Sequence, residues 1–189
     1  DCTPLTLATG QSGSKVYSGV DAAGNDPQRP AFAVSPCDEE KATLGLEKPD
    51  TISDPKIGLL GDDDTTPGTV ETPWFLESAD NARAYLSGLQ TKARTLNRHF
   101  GSGTIVNDSV NTPMYTFVDG DCTLENGSGF LVVTGTLTMR GNTNFRGSIL
   151  VLGKGVLIRN GGGNGDILGG ITIAKFGRTS GNFEAPTFH

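Results

Sequence analysis

The residues best placed to do chemistry surround one sharp turn, Asp119-Gly-Asp-Cys-Thr-Leu-Glu125. Carboxylates at alternate positions are how a calcium loop presents its oxygen ligands. The match to Asp-x-Asp-x-Asp-Gly is partial: position five has no carboxylate and the glycine is out of place. The expectation is a solvated turn between strands, with Asp119, Asp121 and Glu125 as the calcium candidates. Asp62-Asp63-Asp64, in a Gly/Pro loop, reads the same way, as solvated charge. The run Gly161-Gly-Gly-Asn-Gly165 has the glycines of an anion cradle. No Lys-Ser/Thr follows it, so it reads as a wide corner. The two histidines, His99 and His189, are too few and too scattered to argue a nucleophile–base pair.

Cys2, Cys37 and Cys122 make an odd count, with no Cys-x-x-Cys pair and no histidine nearby, which disfavours zinc. In an exported protein Cys2 and Cys37 are the candidates for a structural disulfide. Closing a loop of ~35 residues would contribute about 3–4 kcal/mol. Cys122 is then unpaired, a small buried apolar residue in a strand. The alternative is three free thiols.

The elements that position these groups form a ladder. Tyr115-Thr-Phe-Val-Asp-Gly120, Leu131-Val-Val-Thr-Gly135 and Ile149-Leu-Val-Leu-Gly153 are apolar runs closed by glycine. Each precedes a second strand-like piece: Cys122–Leu124, Thr136–Met139 and Val156–Ile158. A fourth run, Ile171–Ala174, follows the glycine-rich corner. The closing glycines at 120, 135 and 153 lie 15 and 18 residues apart. That is too short for a strand-helix-strand unit of roughly 30 residues, and it suits one coil of a solenoid. Parallel coils with the usual crossover hand give a right-handed parallel β-helix. Asn and Gly at the corners tolerate positive φ, and stacked asparagines can form hydrogen-bond ladders.

Ile149-Leu-Val-Leu152 does not alternate, so this strand should be buried on both faces. One face lines the solenoid interior; the other needs a cover. The cover is an amphipathic helix over 78–98, where Ala82, Leu86, Leu89, Ala93, Leu96 and Phe100 recur at steps of three and four. Ser78 caps it, Asp80 suits its first turn, Lys92, Arg94 and Arg98 suit its last turns, and Gly101 ends it.

Short β-like pieces (Leu5–Ala8, Lys15–Tyr17, Ala31–Val34) precede a stretch over 38–73 rich in turn formers, expected as an irregular polar excursion with one apolar island at Ile57–Leu60. The whole, 1–189, reads as a single β-solenoid domain. Gly at 27 of 189 residues is about twice the usual ~7 % share, which fits frequent tight turns. A net charge of −6 argues against nucleic acid and anionic membrane surfaces as partners. No apolar run approaches a membrane span. The chain opens at Asp1 without a leader and reads as a mature or truncated product.

Polysaccharide chemistry on a β-helix needs carboxylates converging on one sheet face. Outward ladder positions here are mostly Thr, with Arg140, Arg146, Lys154 and Arg159 expected as a solvated flank. Asn107-Asp-Ser109 and Asn126-Gly-Ser128 fit the glycosylation acceptor pattern.

Phe130–Met139, Asn144–Gly153, Asn160–Gly169 and the tail Phe183–Phe188 together resemble the C-terminal part of bacterial pilus-assembly proteins with a PilX-type N-terminal region; Tyr17–Ala22 is similar to an upstream motif of that group. The resemblance implies an extracellular or cell-surface protein associated with type IV pili, with other pilus or envelope proteins as partners and no cofactor or catalytic residues to carry over. The family's N-terminal hydrophobic helix is not in this sequence. The expected function is therefore non-catalytic and structural: a filament-associated module, a homo-oligomer able to stack end to end. The rival readings are a carbohydrate-binding adhesin and a β-helix polysaccharide-active enzyme.

Overall fold

In the computed structural model, the described residues are 6–7, 30–35, 57–61, 69–161, 163–177 and 181–188. Cys2, Cys37, Lys15–Tyr17 and Asp62–Asp64 lie outside them. The backbone clusters into two compact units, Asp1–Pro73 with His189, and Trp74–Phe188.

In the first unit, β1 (Thr6–Leu7) is followed by β2 (Phe32–Val34), β3 (Ile57–Gly61) and β4 (Thr69–Glu71). The last three form a parallel sheet in the order β2-β3-β4. The stretch expected to be wholly irregular thus contains two strands. The apolar island at Ile57–Leu60 is one of them, and β-branched Thr69 and Val70 favour the other.

The second unit is a parallel β-solenoid of about four turns, as the glycine-closed runs imply. Its strands are β5 (His99–Gly101), β6 (Thr104–Asn107), β7 (Met114–Asp119), β8 (Cys122–Val133), β9 (Thr136–Gly153), β10 (Val156–Asn160), β11 (Ile167–Phe176), β12 (Phe183–Glu184) and β13 (Thr187–Phe188). On one side His99, Phe117, Val132, Leu150 and Thr172 stand one above another, so successive coils are 18, 15, 18 and 22 residues long. On a second side Cys122, Leu137 and Leu157 are in register, with Thr104 before them and Phe188 after. The one antiparallel pairing of this sheet among the described residues is β11 with β12, at the C-terminal end.

Alternation along β7, β8 and β9 divides the apolar residues into two layers. Val118, Leu131, Val133, Ile149 and Val151 point inward with Cys122, Leu124, Leu137, Phe145 and Leu157. Phe117, Val132, Leu150 and Leu152 point out of the same strands, into a second cluster with Ala79, Ala82 and Ala93 of the helix α1 (Ala79–Thr95). Both faces of Ile149–Leu152 are buried, and α1 is the cover the sequence called for.

Ser78 caps α1 by accepting from the Asn81 N–H. The far end differs from expectation. Asn97 takes the left-handed conformation (φ 55°), Arg98 N–H donates to Ala93 C=O and Asn97 N–H to Arg94 C=O. This paired closure satisfies the last carbonyls four residues before Gly101. His99 and Phe100 consequently belong to β5 and not to the helix. Phe100 packs on the interior cluster, and the Arg98 guanidinium lies over its ring.

The strands bend at a column of glycines. Gly129, Gly147 and Gly169 are in register on successive coils and have φ of 101°, 133° and 136°. A Cβ on Gly147 would collide with the Gly129 carbonyl oxygen, and one on Gly169 with that of Gly147. Only glycine supplies both the positive φ and the close approach.

Candidate functional site

Most polar side chains of the solenoid tie one coil to the next. At the turn after β7, Thr134 Oγ1 donates to Asp119 Oδ1 (3.0 Å) and accepts from Gly120 N–H (2.7 Å). Asp119 Oδ2 accepts from Gln90 Nε2 of α1 (3.1 Å), and that amide also lies 3.2 Å from His99 Nε2. Asp121 Oδ1 accepts from Thr136 N–H (2.7 Å) and pairs with Lys154 Nζ at 3.5 Å. The Thr136 N–H, and secondarily Lys154, hold the Asp121 carboxyl below the usual carboxylate range. Glu125 pairs with Arg140 at 3.0 Å, one coil on.

The three calcium candidates are therefore not brought together. Asp119 and Asp121 flank the Gly120 turn and take different partners, and Glu125 lies on the second side at a register shift. Among the described residues, no group of three or more His, Cys, Asp or Glu could hold a metal ion.

A third side carries an asparagine column. Asn126 Nδ2 donates to Asn107 Oδ1 (3.1 Å), Asn144 Nδ2 to Asn126 Oδ1 (3.4 Å), and Asn144 Oδ1 accepts from Asp166 N–H (3.2 Å). The acceptor triplet at Asn126 is absorbed into this ladder, with Ser128 Oγ donating to Ser109 C=O (3.0 Å). The basic flank is likewise dispersed: Arg140 on Glu125, Lys154 on Asp121, and Arg159 Nη2 3.4 Å from Gly165 C=O. The glycine-rich corner after β10 is a close-packed one: Gly163 and Gly165 lie against the backbone of residues 141–143.

Cys122 is a free, buried thiol in the interior column, and burial pushes its pKa up to about 12. A thiolate is the reactive form. Native protein should therefore leave Cys122 unmodified by a thiol-specific disulfide reagent at pH 8, with reaction appearing in denaturant. A mass spectrum of each sample identifies the labelled cysteine, and prompt labelling of Cys122 in the native protein would contradict its burial.

Two features escape a reading of the sequence. Trp74 and Phe75 both pack on Tyr85 of α1, Trp74 edge-on at 5.3 Å and Phe75 stacked at 4.5 Å between ring centroids. Trp74 is half-exposed. The second is an open groove of about 560 Å³ where α1 runs beside the turn edge of the solenoid. Arg83 and Leu86 form its helix wall. Asp119, Thr134, Gly153 and Lys154 form the opposite wall, from three successive turns, and Lys175–Gly177 with Glu184 closes one end. Arg83 Nη1 donates to Gly177 C=O (2.8 Å) and Nη2 pairs with Asp80 at 2.5 Å, so α1 is clamped to the last coil. The contact joins residues 94 positions apart, a distance at which no local motif signals it.

The arrangement supplies rigid walls and paired charges: of the two carboxylates that line the groove, Asp119 is bonded to Thr134 and Gln90 and Glu184 is paired with Lys175. Comparison with protein-family models, with curated proteins and with solved structures finds no match to this chain.

Proposed function

We propose that this chain is a non-catalytic structural module of a bacterial cell surface, associated with a pilus or a similar filament. The observation that carries the reading is the use made of its polar side chains. Asp119, Asp121, Glu125, Asn126 and Asn144 each bond to a neighbouring coil. Residues held this way stiffen a rod; catalysis on a β-helix requires carboxylates free to meet substrate in a shared cleft. Two apolar layers on either side of one sheet add to the stiffness. Pilus association rests on the resemblance of the ladder and tail.

Self-association uses the ends. Among the described residues, β5 and β6 pair on one side only, which leaves strand edges on the first coil. The last coil carries β12 on β11 and β13 on β10. End-to-end stacking therefore joins unlike ends.

Electron microscopy and light scattering over a concentration series test this, alongside turnover assays on a polysaccharide panel. The expected result is growth into end-joined rods without release of oligosaccharide. Oligosaccharide release would overturn the non-catalytic reading. Single particles at every concentration would remove stacking.

A further inference from the structure

The geometry points to the groove between α1 and the turn edge as a binding site for an acidic oligosaccharide, a linear sugar chain bearing carboxylates. This goes beyond a structural role and stands whether or not the module joins a filament.

Shape is the first argument. The turn wall draws on Asp119, Thr134 and Lys154 from successive coils and ends at Lys175. Coils stack at the spacing of neighbouring strands, ~4.8 Å, so the wall runs for roughly 14 Å along the rod. Such a trough fits an extended chain better than a compact metabolite.

The second argument is the lining. Leu86 on the helix wall and the edge of Phe176 at the closed end, which is 8 % exposed, offer apolar contact of the kind that packs against the C–H face of a sugar ring. Asp119 and Glu184 supply acceptors for ring hydroxyls, while the Thr134 hydroxyl, which already donates to Asp119 Oδ1, shapes the wall. Helix and solenoid are already clamped by the Arg83 contact with Gly177 C=O, so little ordering is needed on binding.

Charge is the third. Lys154 and Lys175 stand at the same end of the trough. Their pairs, Lys154–Asp121 at 3.5 Å and Lys175–Glu184 at 3.1 Å, involve side chains that are about half exposed. Exposed pairs of this kind are worth about 0–1 kcal/mol, so exchanging one for a ligand carboxylate costs little. The chain as a whole carries −6, which repels polyanions in general. An anionic ligand must therefore be held locally, by these two ammonium groups together with the apolar contact of Leu86 and Phe176.

The test is isothermal calorimetry on the intact protein with three probes: tetragalacturonic acid, the neutral cellotetraose, and a tetraglutamate peptide. Binding is expected for tetragalacturonic acid, at least tenfold weaker for cellotetraose and tetraglutamate, and weakening as salt rises. The double variant Lys154→Gln/Lys175→Gln should lose about tenfold in affinity for tetragalacturonic acid with its circular dichroism spectrum unchanged. Equal binding of tetraglutamate would mean a general anion or acidic-peptide site and would overturn the sugar assignment. Equal binding of cellotetraose would overturn the role of charge. No binding of tetragalacturonic acid at millimolar concentration, or a double variant that binds it as tightly as the native protein, would remove the site.

Discussion

Replacing Gly147 by alanine is expected to lower the melting temperature by about 10–15 °C, a larger effect than one methyl group has at most positions. Two costs add. At φ 133° an L-residue is strained, by about 1–2 kcal/mol by analogy with other left-handed positions. The new Cβ also meets the Gly129 carbonyl oxygen of the coil below, which is backbone and cannot rotate away. Forced overpacking of this kind costs typically 1–3 kcal/mol. A total of roughly 2–5 kcal/mol is a large share of the usual 5–15 kcal/mol of a domain. For a chain of this size each kcal/mol moves the midpoint by about 2–4 °C. The control is Gly88→Ala in α1. No atom lies within 4 Å of its added Cβ and its φ is helical, so the same chemical change should stabilise by up to about 1 kcal/mol. Thermal melts of both variants by circular dichroism decide the matter. Equal midpoints for Gly147→Ala and the native protein would mean that the coils do not approach closely at the glycine column.

The solenoid was legible because its signals are local and repeat. Closing glycines 15 and 18 residues apart gave the coil lengths that the Phe117–Val132–Leu150 column shows. The unbroken run Ile149–Leu152 announced two buried faces, and both are present. The helix was legible for most of its length from its stripe, yet the stripe overran. Leu96 continues the apolar period but is about half exposed beyond the last turn, and Phe100 belongs to the interior of the solenoid. The period cannot tell a helical position from a strand position just past the end. Asn97 and Gly101 compete to end the helix, and the hydrogen bonds of Arg98 and Asn97 choose the first.

What stayed hidden depends on register and on distant partners. An asparagine ladder at the corners was expected, with Asn126 at one of them, but its partners Asn107 and Asn144, 19 and 18 residues away, are identified only once the coils are aligned. The Asp119–Asp121–Glu125 run suggests a shared site because sequence shows neighbours. The turn at Gly120 and the register shift after Leu124 send the three carboxylates to Thr134, Thr136 and Arg140 instead. The groove needs Arg83 and Gly177 in contact, a closure that follows from the helix crossing all the coils. Two-residue strands such as β12 carry too few side chains for any pattern.

Phe117→Ala should be the most damaging change to the second apolar layer, costing about 3–5 kcal/mol as other buried Phe truncations do. Phe117 is 1 % exposed and stands in the outer column between His99 and Val132. His99 stacks on its ring at 5.5 Å between centroids. The residues that α1 buries fully in this cluster are alanines, Ala79, Ala82 and Ala93, and its larger side chains, Tyr85, Leu86 and Leu89, pack on the cluster only partly buried, so Phe117 supplies much of the buried volume between helix and sheet. The loss should therefore weaken the attachment of α1 more than the stacking of the coils, whose interior is built from Val118, Val133, Val151 and their neighbours on the other face. Hydrogen–deuterium exchange separates the two: in Phe117→Ala the amides of Ala79–Thr95 should exchange markedly faster, while those of β8 and β9 keep their native protection relative to global unfolding. Acceleration in β8 and β9 equal to that in α1 would show instead that helix and coils unfold as one unit, and that the cover is as much a part of the rod's stability as its interior.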